Sequence, residues 1–437
     1  MSDALPGPAW LARRRAEAWE RFSCSAPPRE SEEIWRYSGI DRFDLDRFAP
    51  AGTAPGTGDD ALAVARALAD PLGARAALVV TRDGAVTGVE RTTATDGAQL
   101  AVTSALGVDD PPPDLGRLAP ARDAFGELHD AFLPDAVVVT VADKVVVNEP
   151  VVVVHLVDRP PEGKSVSAFP RTLVRVGTGG RAGVIELLAG LGDGPGAALV
   201  VPVTELEVDD DAHLAYANLQ VLDPGASQVA VQASRVGRGA TLRSFTVGLG
   251  GAYARVRTDS DLVGQGGATA LLAAYLATDG QVHDFRTLQD HHAPRTESEL
   301  LFRGAVADTA RSVYSGLIRI RHGAHGANAF QTNNNLVLSE GAHADSVPNL
   351  DIDENDVRCS HASTVGPIDE DQRYYLESRG IPPAQAEHLI VLGFFSDLAS
   401  RAPFDGVGPW VERAVARRLA GRMPSEAAPE EGEGTGG

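Results

Sequence analysis

The chain has 437 residues, and 39 Lys and Arg residues stand against 60 Asp and Glu residues, which gives a formal net charge of −21. So acidic a chain repels phosphate backbones, which argues against a nucleic-acid partner. The length is about three times that of a common domain, so a small disulfide-stapled scaffold is excluded and several packed units are expected. The 46 Gly and 28 Pro residues favour many turns between short elements.

The compartment is predicted from the thiols and the apolar segments. Cys24 and Cys359 are the two cysteines, and so few thiols in a long chain are typical of a reducing compartment. The amino-terminal arginines are not followed by the apolar run of a signal peptide. The longest apolar stretch, residues 136–157, is interrupted by Asp143 and Lys144 and is rich in Val, which indicates strands instead of a membrane span. We therefore predict a soluble cytoplasmic protein.

Residues 1–135 are predicted to form a mixed, largely helical domain. Charged and Trp-containing residues 8–48 suggest an amphipathic helical arm, and residues 59–71 suggest a helix with an acidic start and a proline at its end. Residues 77–89 suggest a hairpin that turns at an Asp-Gly pair, and residues 122–132 are a further helix candidate.

Residues 136–368 contain short β-branched runs separated by Gly, Asn and Asp, with almost no helical periodicity. More than 200 residues of this kind predict a sandwich, a barrel or a solenoid. The run Asn333-Asn334-Asn335 favours a parallel β-solenoid, because stacked coils favour Asn ladders at their corners. The spacing of the runs is too irregular to establish a fixed period.

The pattern becomes helical again over residues 369–422. Helices are predicted at 370–378, at 384–398 and at 410–419, where arginines near the carboxyl end suit the helix dipole. The remaining residues, 423–437, are rich in Pro, Glu and Gly and are predicted to be disordered.

No sequence pattern supports nucleotide hydrolysis or a hydrolase site. The run Gly163-Lys164-Ser165 is the one phosphate-loop candidate, but Asp158 stands where such a loop needs its first glycine. Neither a Gly-x-Ser-x-Gly nor a His-Glu-x-x-His run occurs. We therefore predict that this chain does not hydrolyse ATP itself.

Cys359 and His361 are the best candidates for a chemical site. They are two residues apart, so on a strand both side chains project from the same face, about 7 Å apart along the backbone. A thiolate with an imidazole suits iron or zinc, and a cysteine beside a histidine is also a possible nucleophile. Because closed metal sites take about four ligands, the missing ones would come from elsewhere, for example another chain. The alternative is that Cys359 is only a small buried apolar residue.

Seven runs in the second half of the chain carry a resemblance to known proteins: 301–308, 313–316, 331–339, 348–352, 356–361, 364–366 and 375–381. They resemble the SufB/SufD family of Fe–S cluster assembly scaffolds, and they occur in that family's order. Weaker similarity extends to residues 33–37, 283–287 and 290–294.

Within the family, the chain is more similar to the SufD branch. The run Asp-Val-Arg-Cys-Ser-His ending at His361 resembles that branch, and Glu340 stands where SufB carries its scaffold cysteine before Gly-Ala-His. The resemblance implies a non-enzymatic scaffold subunit of the SufBCD complex. A SufB-type scaffold is the alternative, and a polysaccharide-acting β-helix enzyme is a weaker one, since the chain nearly lacks Lys and its solenoid region lacks Trp.

The resemblance also implies an architecture, a site and partners. The fold would be mainly β, with a central right-handed parallel β-helix between amino-terminal and carboxyl-terminal helical regions. His361 matches the histidine that faces SufB in a SufB–SufD heterodimer, and Cys359 matches its neighbour. The two would contribute to a transient Fe–S cluster shared with SufB.

ATP would be bound by the partner ATPase SufC, docked on the carboxyl-terminal helices. The apolar residues proposed for that surface, for which core packing is an equally good explanation, are Leu389, Leu392, Phe394 and Phe395.

Overall fold

The structure is a computed structural model that describes residues 5–51, 58–91, 99–112 and 114–421. The segment 423–437, predicted to be disordered, lies outside these residues. The described α-helices are α1 (Ala9–Cys24), α2 (Gly58–Ala69), α3 (Ala124–Phe132), α4 (Glu370–Ser378), α5 (Pro383–Ala399) and α6 (Val407–Ala420). Short 3-10 turns span Glu33–Trp35, Ile40–Arg42, Leu45–Arg47, Asp70–Leu72 and Ala105–Gly107.

Strands fill the chain between α3 and α4 and a short region before α3. In chain order they are β1 (Ala49–Pro50), β2 (Ala77–Arg82), β3 (Ala85–Arg91), β4 (Leu100–Ser104), β5 (Val137–Val141), β6 (Val151–Asp158), β7 (Ser165–Ala168), β8 (Arg171–Val176), β9 (Arg181–Leu191), β10 (Ala197–Val200), β11 (Val203–Val208), β12 (His213–Val221), β13 (Ala226–Val236), β14 (Thr241–Gly248), β15 (Tyr253–Leu262), β16 (Ala268–Ala277), β17 (Val282–His291), β18 (Glu297–Val306), β19 (Arg311–Ile320), β20 (Ala327–Val337), β21 (His343–Ile352) and β22 (Val357–Gly366).

Successive strands alternate between two sheets, and neighbouring turns pair in parallel. The first sheet, sheet A, runs from β4 through β5, β8, β11, β13, β15, β17 and β19 to β21, and the second, sheet B, runs from β3 to β22. In sheet A, Tyr253 pairs with Val282, Val282 with Arg311, and Arg311 with His343, so one turn takes 29, 29 and then 32 residues. This is a parallel β-solenoid, which confirms the predicted mainly-β fold with a central β-helix between helical ends.

The solenoid begins before residue 136. Strand β2 pairs in parallel with β6, and β4 pairs with β5. The predicted domain boundary at 135 therefore falls between two hydrogen-bonded strands, and the division into domains stays a prediction.

The expectation that the Asn run marks a corner is wrong. Asn333 and Asn335 lie within β20 and are buried inside the solenoid, where their amides bond to each other and to the hydroxyl of Tyr275. A buried tyrosine hydroxyl needs hydrogen-bond partners, and these two amides supply them. Corners instead use residues in the left-handed region, such as Asp279 and Asp308, with φ of 56° and 59°.

Helices α5 and α6 cover the outer face of sheet B. Buried side chains such as Val391 and Val411 join one apolar cluster with Leu272 and Leu301 of the strands. Strand β16 is thus buried on both faces, which explains its nearly continuous apolar sequence. The last turn, β21 and β22, is mostly exposed.

The predicted hairpin is confirmed, with its turn at Asp83-Gly84. Both residues have positive φ, 51° and 93°. Burial is the largest cause that raises the pKa of Asp83, to about 6, while a hydrogen bond from the amide of Asp158 opposes the shift. The folded state therefore disfavours the ionised form of this carboxyl group.

We expect Asp83→Asn to raise the free energy of unfolding by up to about 3 kcal/mol at pH 7.5. The native pKa is higher than the unfolded one, so ionisation destabilises the fold as the pH rises from about 4 through 6, and the gain should vanish at pH 4. Asn also tolerates positive φ. Urea unfolding at both pH values measures this. Asp279→Asn, at an exposed turn with φ of 56°, is the matched control. An equal gain from that control would contradict the explanation.

Candidate functional site

The predicted pair lies on β22, the last strand of sheet B. Within the described chain, β22 pairs with β20 on one side and has no strand on the other. Cys359 stacks on Ala329 and His361 on Gln331, and both of these β20 residues point into the solenoid. Cys359 and His361 therefore share the inward-facing row of a turn that nothing described covers, as the spacing predicted.

The two side chains differ in exposure. His361 is exposed, whereas Cys359 is half-buried and packs on the apolar cluster formed by Ile318, Ile320 and Ala329. Burial raises the pKa of the Cys359 thiol. The thiol is therefore protonated at neutral pH, and binding a metal there would release a proton.

Gln331 lies directly beneath His361 and was missed by the sequence reasoning. Its side chain is 1% exposed, and neither its amide nitrogen nor its amide oxygen has a hydrogen-bond partner among the described residues. An unpartnered buried amide costs free energy, so a group that reached it from the open end would be favoured. The one sequence signal that pointed to Gln331 was its position as the first residue of the run 331–339, which resembles the SufB/SufD family.

The opposite strand of the open turn, β21, is also an edge strand. Its Ser346 accepts a hydrogen bond of 2.7 Å from Ser363 of β22, which links the two strands across the open turn. Leu350 and Val365, in register with buried Ile318 and Asn335, are 39% and 46% exposed. Unpaired edges with exposed apolar side chains are typical of surfaces that pair with another chain.

The four apolar residues predicted to face a partner do not share one environment. Leu389 of α5 is 49% exposed, while Leu392 and Phe394 are half-buried against the cluster under α5. Phe395 is 1% exposed and belongs to that cluster, so its side chain supports the helix from within. The guanidinium of Arg303 stacks 5.3 Å from the ring centre of Phe394.

Two exposed tyrosines of α4 were missed. Tyr374 and Tyr375 are 74% and 58% exposed, and no residue of α4 is buried. Helix α4 packs on α5, and we call the exposed side chains of Tyr374, Tyr375 and Leu389 on these two helices the α4–α5 patch. The sequence alone could not show that these tyrosines are exposed, because α4 is too short and polar for the spacing of its apolar residues to indicate a buried face.

A second cluster of metal-ligand types occurs on sheet A. Side-chain atoms of Asp261, Asp290 and His292 lie within 4.8 Å of one another. Both carboxylate oxygens of Asp290 accept hydrogen bonds of 2.8 Å from Arg321, so this carboxylate is already neutralised by a guanidinium. The cluster is best explained as a structural ion-pair group.

The fold and its open end define a class of protein: a β-helix whose uncovered last turn carries a cysteine and a histidine on one face. The family model described as SUF system FeS cluster assembly, SufBD core domain, matches residues 160–394. The chain therefore belongs to the SufBD family of iron–sulfur cluster assembly proteins. The resemblance inferred from the sequence is thus confirmed.

Individual relatives agree with this assignment. The chain is 35% identical to an iron–sulfur cluster assembly SufBD family protein of Mycobacterium tuberculosis over 307 residues, which are 68% of this chain and 74% of the relative. It is 30% identical to the iron–sulfur cluster assembly protein SufD of Escherichia coli over 62% of this chain and 64% of that protein. Over 32% of each chain it is 40% identical to SufD of Bacillus subtilis.

Within the residues that the structure describes, every helix is too short or too polar to span a bilayer.

Proposed function

We propose that this chain is a SufD-like, non-enzymatic scaffold subunit of a complex that assembles iron–sulfur clusters. Two relatives that bear the name SufD support the SufD-like role. The residue Glu340, where the SufB branch carries a cysteine, supports it as well. The proposed location is the cytoplasm, which rests on the low cysteine content.

The observation that carries the proposal is the open last turn with exposed His361. An imidazole and a half-buried thiol on one edge strand are two ligands, whereas a cluster takes about four. A SufB-type partner docked on β21 and β22 would supply the remaining ligands and cover the exposed apolar side chains. In this proposal the cluster is a transient cargo held between the two subunits.

The α4–α5 patch is the proposed docking surface for a SufC-type ATPase, which would bind the ATP. Leu389 is the most exposed of the apolar residues predicted for this role, and Tyr374 and Tyr375 extend the surface. Leu392 and Phe394 would contribute through their exposed parts, and Phe395 would hold α5 in place from beneath. ATP binding could act on the site only through contacts that differ between two states of the complex.

Mass determination of a co-purified complex tests the proposal. The chain should elute with a SufB-type subunit and a SufC-type ATPase in one species whose mass equals their sum, and it should bind little iron or sulfide when alone. A chain that stays alone in the presence of both partners would contradict the proposal. Stable iron and sulfide on the isolated chain would instead favour a SufB-type role.

A further inference from the structure

A groove of about 570 Å³ runs along the outer face of sheet A. It lies between the residues Glu33–Trp35, the start of α3, and the outer face of strands β13, β15, β17, β19 and β21. We call it the arginine groove. Its volume is in the range of small-molecule sites, and the proposed function does not use it.

Four arginines of this groove share two carboxylates. Arg255 and Arg286 both bond to Asp284, which is buried. Arg122 and Arg257 both pair with Asp259. The sharing leaves positive charge on the strand side of the groove.

Two of these guanidiniums lie side by side. Arg257 of β15 is in register with Arg286 of β17, and Arg286 is in register with Ser315 of β19. Like charges directly opposite each other on neighbouring strands destabilise a sheet. In both Arg257 and Arg286, Nε and Nη2 contact carboxylate or carbonyl oxygens. The Nη1 group of each arginine donates no hydrogen bond to a described residue. This row therefore offers donors to an anion that would also relieve the repulsion.

The acidic residues of the rim do not occupy this row. The carboxylate of Asp123 accepts a hydrogen bond of 2.9 Å from the amide of Gly126 and so caps α3. Glu33 lies on the amino-terminal wall and is exposed. Arg319, at the other end of the groove, is paired with Asp351. Positive charge is thus concentrated at the Arg257–Arg286–Ser315 row.

Apolar surface lies next to the charged row. Leu288 and Leu317 are in register with each other two residues further along the same strands, about 7 Å from Arg286 and Ser315. Trp35 forms part of the amino-terminal wall, and its buried Nε1 has no partner among the described residues. A site that joins anion donors to an apolar surface suits an organic anion better than an inorganic one.

We propose that the arginine groove binds a small organic phosphate of about nucleotide size. The phosphate group lies between Arg257 and Arg286, within reach of the Ser315 hydroxyl, and the organic body lies on Leu288 and Leu317. Guanidiniums in this arrangement favour phosphate because its oxygens accept several parallel hydrogen bonds.

Titration calorimetry of the full chain at low salt tests this site with AMP, inorganic phosphate and citrate as probes. AMP should bind, inorganic phosphate should bind at least tenfold more weakly because it lacks the organic body, and citrate should bind more weakly than AMP. Arg257→Gln should weaken AMP binding at least tenfold, and Arg257→Lys should weaken it less because the charge is kept. Arg238→Gln, at an exposed arginine outside the groove, is the matched control and should change nothing.

Ser315→Ala, which removes one hydroxyl without a charge, serves if Arg257→Gln does not fold, and it should weaken AMP binding about threefold. Absence of AMP binding at about 5 mM would overturn the proposal. Equal binding to the wild-type chain and to Arg257→Gln would overturn the assigned position. Tighter binding of citrate than of AMP would overturn the assignment to phosphates.

Discussion

His361→Ala is expected to lower the yield of Fe–S cluster in the reconstituted complex at least fivefold. The imidazole is exposed on an edge strand and makes no hydrogen bond that the fold requires among the described residues, so in the proposed role its loss removes a cluster ligand and no structural contact. Loss of a single ligand should strongly reduce cluster formation, because each ligand binds iron directly. Iron and sulfide content and the visible absorption of the complex measure the effect.

The matched control is Ser360→Ala, because Ser360 is exposed on the same strand as His361. Ser360 is in register with exposed Phe330, so its side chain lies on the face of the strand opposite to that of His361. It should leave the cluster yield unchanged. Both variants should melt within about 1 °C of the wild-type chain, because exposed substitutions change stability little. A normal cluster yield in His361→Ala would reject the assigned role of this residue.

Leu350→Lys combined with Val365→Lys is expected to weaken association with the SufB-type partner at least 100-fold, or about 3 kcal/mol. Both side chains are exposed in the isolated chain, so two lysines are tolerated in the monomer. In the complex, these positions would be covered, and burying two ammonium groups without partners is costly. Binding measured by interferometry or calorimetry gives the change in affinity.

Val146→Lys is the control for this pair, since Val146 is 56% exposed and lies in an early turn of the solenoid. It should leave the affinity unchanged. If the double substitution bound the partner as tightly as the control, the open turn would not be the association surface.

Much of the architecture could be predicted from local patterns. The hairpin at Asp83-Gly84 and the helices over 370–378, 384–398 and 410–419 follow from turn chemistry, proline positions and periodicity, and all of them are present. The solenoid was predicted for a wrong reason, because the Asn run serves buried hydrogen bonds and not a corner. Its period of 29 to 32 residues was not visible, since turns of unequal length hide the repeat.

The site was only partly predictable. The two-residue spacing of Cys359 and His361 correctly placed them on one face, because side-chain alternation is a local property of strands. That Gln331 lies beneath His361 depends on the register between β20 and β22, thirty residues apart, which no local pattern encodes. The apolar run of α5 also could not show which residues face the core. Burial of Val391, Phe395 and Leu398 at helical spacing leaves Leu389 outside.

The central claim is that this chain supplies part of an Fe–S assembly site through the imidazole of His361. The most direct measurement labels the histidines of this chain alone with ¹⁵N, assembles it with an unlabelled partner, and records electron–nuclear double resonance of the reduced cluster. A ¹⁵N coupling that disappears in labelled His361→Ala is the result expected. A cluster that forms normally and shows no coupling to the labelled chain would contradict the claim.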